Sequence, residues 1–240
     1  MNTVLIVFLV VVIIVAIIMV IQYYNPGYLI MSPKSLNAPS QSIINASQLE
    51  SPGSVRYYYT GWVFINSNSP ISSANVLFNR GSDFVVALTG STLGIYINTK
   101  TSNSAPYSDG NSTGVSAAGV LDTTGLTPLL TVPNFPFQKW CQLVINVDGT
   151  TVDLYIDGKF VQTVQSSKPI STHTTDNITY GNQYTVGHIV RFSRPATSIN
   201  PQGVWSSYML GSGQSYTLTD YHLDAQLTKN KNVSMQQRLV

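Results

Sequence analysis

Eighteen consecutive residues, Val4 to Ile21, carry no polar side chain. A helix of that length rises roughly 27 Å, close to the roughly 30 Å hydrocarbon core of a bilayer. A secretory signal has a shorter apolar stretch, a basic start and a small-residue cleavage site. Here no Lys or Arg precedes Val4, and Gln22-Tyr23-Tyr24-Asn25-Pro26 follows Ile21. The run predicts a single transmembrane anchor over residues 1–22, in contact with the lipid bilayer through residues 4–21. Tyr23, Tyr24 and Tyr28 would lie at the interface. Residues 23–53 hold Pro26, Pro33 and Pro39 among Ser, Asn and Gln, and predict an extended linker.

From residue 54 to 228 the pattern changes to short runs of β-branched and aromatic residues between polar turns. The clearest runs are Val55–Asn66, Val76–Phe78, Phe84–Leu88, Leu93–Asn98, Leu129–Val132, Trp140–Val147, Val152–Ile156, Phe160–Val164, Val186–Phe192 and Ser215–Leu227. Thr99–Gly125 and Ser166–Tyr184 read as loops. One helix is expected: Asn200 caps it, Pro201 opens it and Gly211 ends it. About ten strands in one unit suit an all-β fold, a two-sheet antiparallel jelly-roll sandwich with one short helix, preceded by the transmembrane helix. Residues 229–240 read as a polar tail.

The most informative stretch runs from Trp140 to Val161. Cys141, Leu143, Ile145 and Val147 alternate on one face, and Val152, Leu154 and Ile156 do so on the next strand. Asp148-Gly149 turns the chain. Asp157-Gly158 is a two-residue hairpin turn signal. This W-x(7)-DG-x(5)-YIDGK pattern resembles the laminin-G/pentraxin group of concanavalin A-like jelly rolls. Val186–Ala196 with the following Pro201–Gly211 segment, and Tyr58-Thr60-Trp62-Phe64 earlier, are similar to other parts of that group. An N-terminal anchor on such a domain resembles the membrane-anchored minor capsid proteins of large DNA viruses with an internal membrane.

Composition narrows the chemistry. Only 9% of residues are charged, with twelve Lys/Arg against ten Asp/Glu, a net charge of +2. Scattered basic residues predict no nucleic-acid partner. Cys141 is the only cysteine, so no disulfide framework exists. Glu50 is the only glutamate and falls in the linker. Glycoside hydrolysis needs two carboxyls about the scissile bond, and the enzymes of the resembled group use two glutamates on one strand. The reading is therefore no enzyme and no catalytic residue. Gly110-Asn111-Ser112-Thr113-Gly114 matches G-x-S-x-G, but no helical pattern follows it. His173, His188 and His222 lack metal-ligand spacing, and Asp83, Asp109, Asp122 and Asp176 are isolated. No metal site and no cofactor are expected. Tyr57-Tyr58-Tyr59 and Trp205/Tyr208 can form sugar-stacking platforms, though packing in and on the sandwich is their ordinary role.

These readings combine into an expected function. The chain would be a structural, non-catalytic minor capsid protein in the virion. Its helix would sit in an inner membrane, and its sandwich would face the capsid shell and touch other capsid proteins. Lys34 after the helix orients the sandwich to the cytosol. The sequons at Asn45, Asn111, Asn177 and Asn232 would then stay unmodified. The alternative is a membrane-anchored carbohydrate-binding or adhesive surface module, with a glycan partner held by the Thr99–Gly125 and Ser166–Tyr184 loops.

Overall fold

The structure is a computed structural model. It describes residues 8–17, 27–37, 42–67, 75–81, 84–98, 126–166, 170, 174–182, 185–213, 223–229 and 232–239. Two six-stranded antiparallel sheets lie face to face. The first contains β1 (Lys34–Ser35), β3 (Arg56–Ser67), β8 (Trp140–Asp148), β9 (Thr151–Ile156), β10 (Lys159–Gln165) and β12 (Val186–Ser193). Its strand order is β1-β12-β3-β8-β9-β10. The second contains β2 (Ser42–Ile44), β4 (Asn75–Arg80), β5 (Phe84–Thr89), β6 (Thr92–Asn98), β7 (Leu126–Val132) and β11 (Ile178–Tyr180). Its order is β2-β11-β4-β5-β6-β7. A separate hairpin pairs β13 (Leu223–Lys229) with β14 (Asn232–Leu239).

The period of two decides which residues meet. Tyr57, Tyr59, Val63 and Ile65 of β3 point inward with Leu143, Ile145 and Val147 of β8 and with Leu154 of β9. They meet Leu77, Phe84, Val86, Leu88, Leu93 and Ile95 from the second sheet. Tyr59 is the hub. Its ring lies 5.0 Å from that of Phe78, 5.4 Å from Phe84, 5.5 Å from Tyr57 and 6.1 Å from Phe192. The outward positions of the first sheet carry Tyr58, Val144 and Tyr155, which pack with Ile199 and the fully buried Val204.

Val204 belongs to helix α2 (Pro201–Met209), where the sequence places it. Asn200 caps it by accepting from the Gly203 N–H at 2.7 Å, with Pro201 in the first turn. Its C-terminus is held from the sheet. Nη1 of Arg191 donates to the carbonyls of Leu210 and Gly211, both at 2.8 Å. Ser207 accepts from Nε2 of the buried Gln142 at 3.0 Å. Tyr208 stacks on Trp62 at 5.6 Å. The Asp157-Gly158 turn forms as its sequence requires, with φ of 50° and 74°. A Cβ on Gly158 would stand 2.9 Å from that of Tyr208, so this turn needs glycine for space as well as for φ.

Several expectations change. The described helical residues of the N-terminus, α1, are 8–17, and their side chains are exposed. Among the described residues no helix is long and apolar enough to cross a membrane. The single-pass location drawn from Val4–Ile21, in a virion inner membrane facing the shell, is corrected by this finding. Residues 1–7 and 18–26 lie outside the described residues. The stretch read as a linker, residues 23–53, supplies β1, β2 and the short 3-10 helix Ala46–Gln48. Leu36, Ile44 and Leu49 from it are buried in the core. Ser166–Tyr184, read as loop, contains β11, whose Ile178 and Tyr180 point into the same core. Asn232–Leu239, within the expected polar tail, is the strand β14. The run expected at Ser215–Leu227 appears as Leu223–Lys229, and its start lies outside the described residues.

Candidate functional site

The hairpin of β8 and β9 presents its polar half outward. Inward positions Ile145, Val147, Val152 and Leu154 are buried. Alternation therefore places Asn146, Asp148, Thr151 and Asp153 on the outer face. Asn146 pairs in register with Asp153, and Asp148 with Thr151. These two cross-strand pairs form the floor of an open cleft of about 520 Å³. Ser198, Ile199 and Asn200, from the segment that leads into α2, form its wall.

The floor is fixed before any ligand arrives. Asn146 is only 5% exposed. Its Nδ2 donates to Asp153 Oδ2 at 3.1 Å, and its Oδ1 accepts from the Ile199 N–H at 3.0 Å. Thr163 of β10 donates through Oγ1 to Asp153 Oδ1. One buried amide thus ties the wall to the floor, and one carboxylate is oriented by two neighbours. Each oxygen of a carboxylate accepts more than one hydrogen bond, so Asp153 keeps acceptor capacity. At the rim, Arg56 Nε donates to Asp148 Oδ1 at 2.8 Å across the β3–β8 pair. Both partners are substantially exposed, so this bridge contributes little stability. Burial, and then the charge of Asp153, push the Tyr155 phenol up from its ordinary value.

Asp148 ends a strand and Asp153 lies inside one; the turn between them is Gly149-Thr150. Their outward alternation beside Asn146 and Thr151 is the signal that locates the cleft in the sequence. The contribution of Ser198–Asn200 is not legible, because it depends on how the segment crosses the sheet. Thr99–Gly125 falls outside the described residues, as does the Gly110–Gly114 motif. Within Ser166–Tyr184, β11 pairs with β2 and β4 in the second sheet, whereas the Ser166 and Ile170 N–H groups donate to the carbonyls of Thr150 and Gly149 at the β8–β9 turn, at 2.7 and 3.2 Å.

The other candidates separate. Glu50 Oε2 accepts from the Ala196 N–H at 3.5 Å, and its carbonyl accepts from Arg194. Asp176 lies beside Gly81. His188 is exposed on β12, opposite Phe64. His173, His222, Asp83, Asp109 and Asp122 are outside the described residues. Among the described residues no three His, Cys, Asp or Glu side chains are grouped to hold a metal. Tyr57 and Tyr59 are core residues, whereas Trp205 is 42% exposed and caps a stack with Tyr208 and Trp62.

Cys141 is a free thiol, fully buried on β8. Burial first, and then the Asp157 carboxylate, push its pKa up, so the reactive thiolate is suppressed. Burial also raises the Tyr59 phenol, against the opposing pull of Arg80 and Arg194. Both groups stay protonated in the fold and ionise earlier when it unfolds. Their contribution is complete below about pH 8.5 and is lost as pH climbs through 10 and beyond. Native protein should leave an aromatic disulfide reagent unreacted at pH 8, and urea should release one thiol equivalent. The urea midpoint should be lower at pH 10.5 than at pH 7.5. Fast native labelling, or a midpoint that rises with pH, would contradict this.

No family model matches the chain. No curated protein matches it. Solved structures similar to it include the binding domain of botulinum neurotoxin DC in complex with rat synaptotagmin II. That pair shares 12% identity with a TM-score of 0.49, over 70% of this chain and 38% of the other. The same domain in complex with SialylT gives 12%, 0.48, 68% and 36%. The receptor-binding domain of botulinum neurotoxin type G gives 12%, 0.46, 65% and 38%. The matches span little more than a third of those chains.

Proposed function

We propose that the chain is a non-catalytic binding module that recognises carbohydrate through the cleft over Asn146 and Asp153. The observation that carries this reading is the cleft floor. A carboxylate, an amide and a hydroxyl stand side by side on a rigid sheet, and the buried amide is already locked in place. Vicinal sugar hydroxyls donate to such carboxylates, and the buried Asn146 amide holds the Asp153 carboxylate in place to receive them. Ile199 gives the wall an apolar surface for the C–H face of a ring. The resemblance of the Trp140–Val161 hairpin to laminin-G and concanavalin A-like jelly rolls supports a binding role on the same scaffold. It does so as analogy of fold alone.

The tether between an inner virion membrane and a capsid shell drew its support from the apolar N-terminal run. With the single-pass location corrected, no observation favours that reading over the cleft.

The full chain should bind members of an array of neutral oligosaccharides. A hydrogen bond to a charged acceptor contributes about 1.5–3 kcal/mol, so Asp153→Ala should weaken binding roughly tenfold or more. Asp153 also supports Asn146, so a second variant separates binding from folding. Ser198→Trp fills the cleft from an exposed wall position and leaves the Asn146–Asp153 bond intact. It should abolish binding with a thermal midpoint near that of the parent. Unchanged affinity in a folded Ser198→Trp protein would remove the cleft from consideration.

A further inference from the structure

We infer that the cleft accepts uncharged carbohydrate and rejects acidic carbohydrate, and that Asp148 is the residue that sets this selectivity. The inference rests on the cleft reading and names the class of ligand within it.

The argument is electrostatic. Asp148 and Asp153 line the cleft, and among the described residues no Lys or Arg lines it. Among the described residues two positive features stand near. One is Arg56, whose Nε is already bonded to Asp148 at 2.8 Å. Its charge is largely neutralised within that pair. The other is the N-terminus of α2, which begins beside Asn200 and carries about half a positive charge. Its capacity for anions is reduced locally. Pro201 has no N–H, and the Gly203 N–H is taken by the Asn200 side chain. Among the described residues, the balance of two carboxylates against one guanidinium and one helix end is negative. A sugar carboxylate or sulfate entering the cleft meets like charge, whereas neutral hydroxyls meet acceptors.

Asp148 matters more than its share of the charge because it does two things. It adds one negative charge to the floor, and it holds the guanidinium of Arg56. Asp148→Asn keeps the shape, removes that charge and frees Arg56. The single carboxylate of Asp153 then faces a free guanidinium and a helix N-terminus, and the balance passes to slightly positive.

The test compares the full chain on matched pairs of immobilised oligosaccharides, each neutral glycan beside its sialylated and its sulfated derivative. The parent protein should bind the neutral member about tenfold more tightly, the size expected of like-charge repulsion at a few ångströms in a wet cleft. Asp148→Asn should shrink or reverse that ratio by a similar factor. Adding Arg56→Gln to Asp148→Asn should remove the gained acidic binding. Thermal midpoints would show that both proteins are folded; the exposure of the Arg56–Asp148 pair makes a small change the expectation. Equal or tighter acidic binding by the parent overturns the inference while leaving the cleft reading in place. A neutral preference that Asp148→Asn does not alter overturns the role of Asp148. Binding of neither class by folded parent protein overturns the cleft reading and the inference together.

Discussion

Replacing Tyr59 with alanine is expected to destabilise the sandwich by about 3–5 kcal/mol, the usual cost of emptying a buried aromatic site. Tyr59 is 1% exposed and its ring touches four others. Those rings come from both sheets: Phe78 and Phe84 from the second, Tyr57 and Phe192 from the first. No single neighbour can collapse into the space, because each is held by its own strand. In a chain of this size each kcal/mol shifts the thermal midpoint by about 2–4 °C, so a drop of roughly 10 °C should appear in calorimetry. A drop under about 3 °C would mean that the two sheets do not meet at Tyr59.

The second large effect belongs to Arg194. This side chain is 2% exposed, and its guanidinium ends on backbone rather than on a carboxylate. Nη1 donates to the carbonyl of Glu50 at 3.0 Å and of Ser51 at 3.4 Å, and Nη2 donates to that of Pro52 at 3.3 Å. The group also stacks over the Tyr57 ring at 4.4 Å. Arg80 reaches the same Pro52 carbonyl at 2.7 Å. Together they hold residues 50–52 against the core. Arg194→Ala leaves loop carbonyls without their donor and a hole beside Tyr57, at an expected cost of about 3 kcal/mol. Arg194→Lys should recover little of it, because an ammonium has neither the planar fork nor the stacking face. A lysine variant as stable as the parent in urea titration would show that charge alone, not fork geometry, serves the loop.

The fold was legible where alternation was long and turns were chemically specific. Trp140–Ile156 alternated through two strands, and Asp157-Gly158 demanded positive φ, so the central hairpin followed from its own residues. Asn200-Pro201 and Gly211 marked the helix in the same way. Short edge elements were not legible. β1 and β11 have two and three residues, too few for a period, and they form because partners in β12 and β4 offer hydrogen bonds. Arg80 and Arg194 were equally silent, since a buried arginine looks like a surface one until the loop it grips is known. The cleft stood between these cases. Asp148 and Asp153 belonged to the outward half of a readable hairpin, yet Asp148 next to glycine looked like a turn residue. The wall at Ser198–Asn200 is a tertiary contact, fixed by the Ile199 N–H meeting Asn146.

The most direct test of the account is to see where a neutral sugar touches the chain. Isotope-labelled protein would be titrated with a neutral oligosaccharide chosen from the array, and amide shifts followed by NMR. The account predicts changes centred on Asn146, Asp148, Thr151 and Asp153, extending to Ser198, Ile199 and Asn200, and absent in Ser198→Trp. Changes centred instead on the exposed Trp205 or Phe160, or no change at saturating sugar, would contradict it.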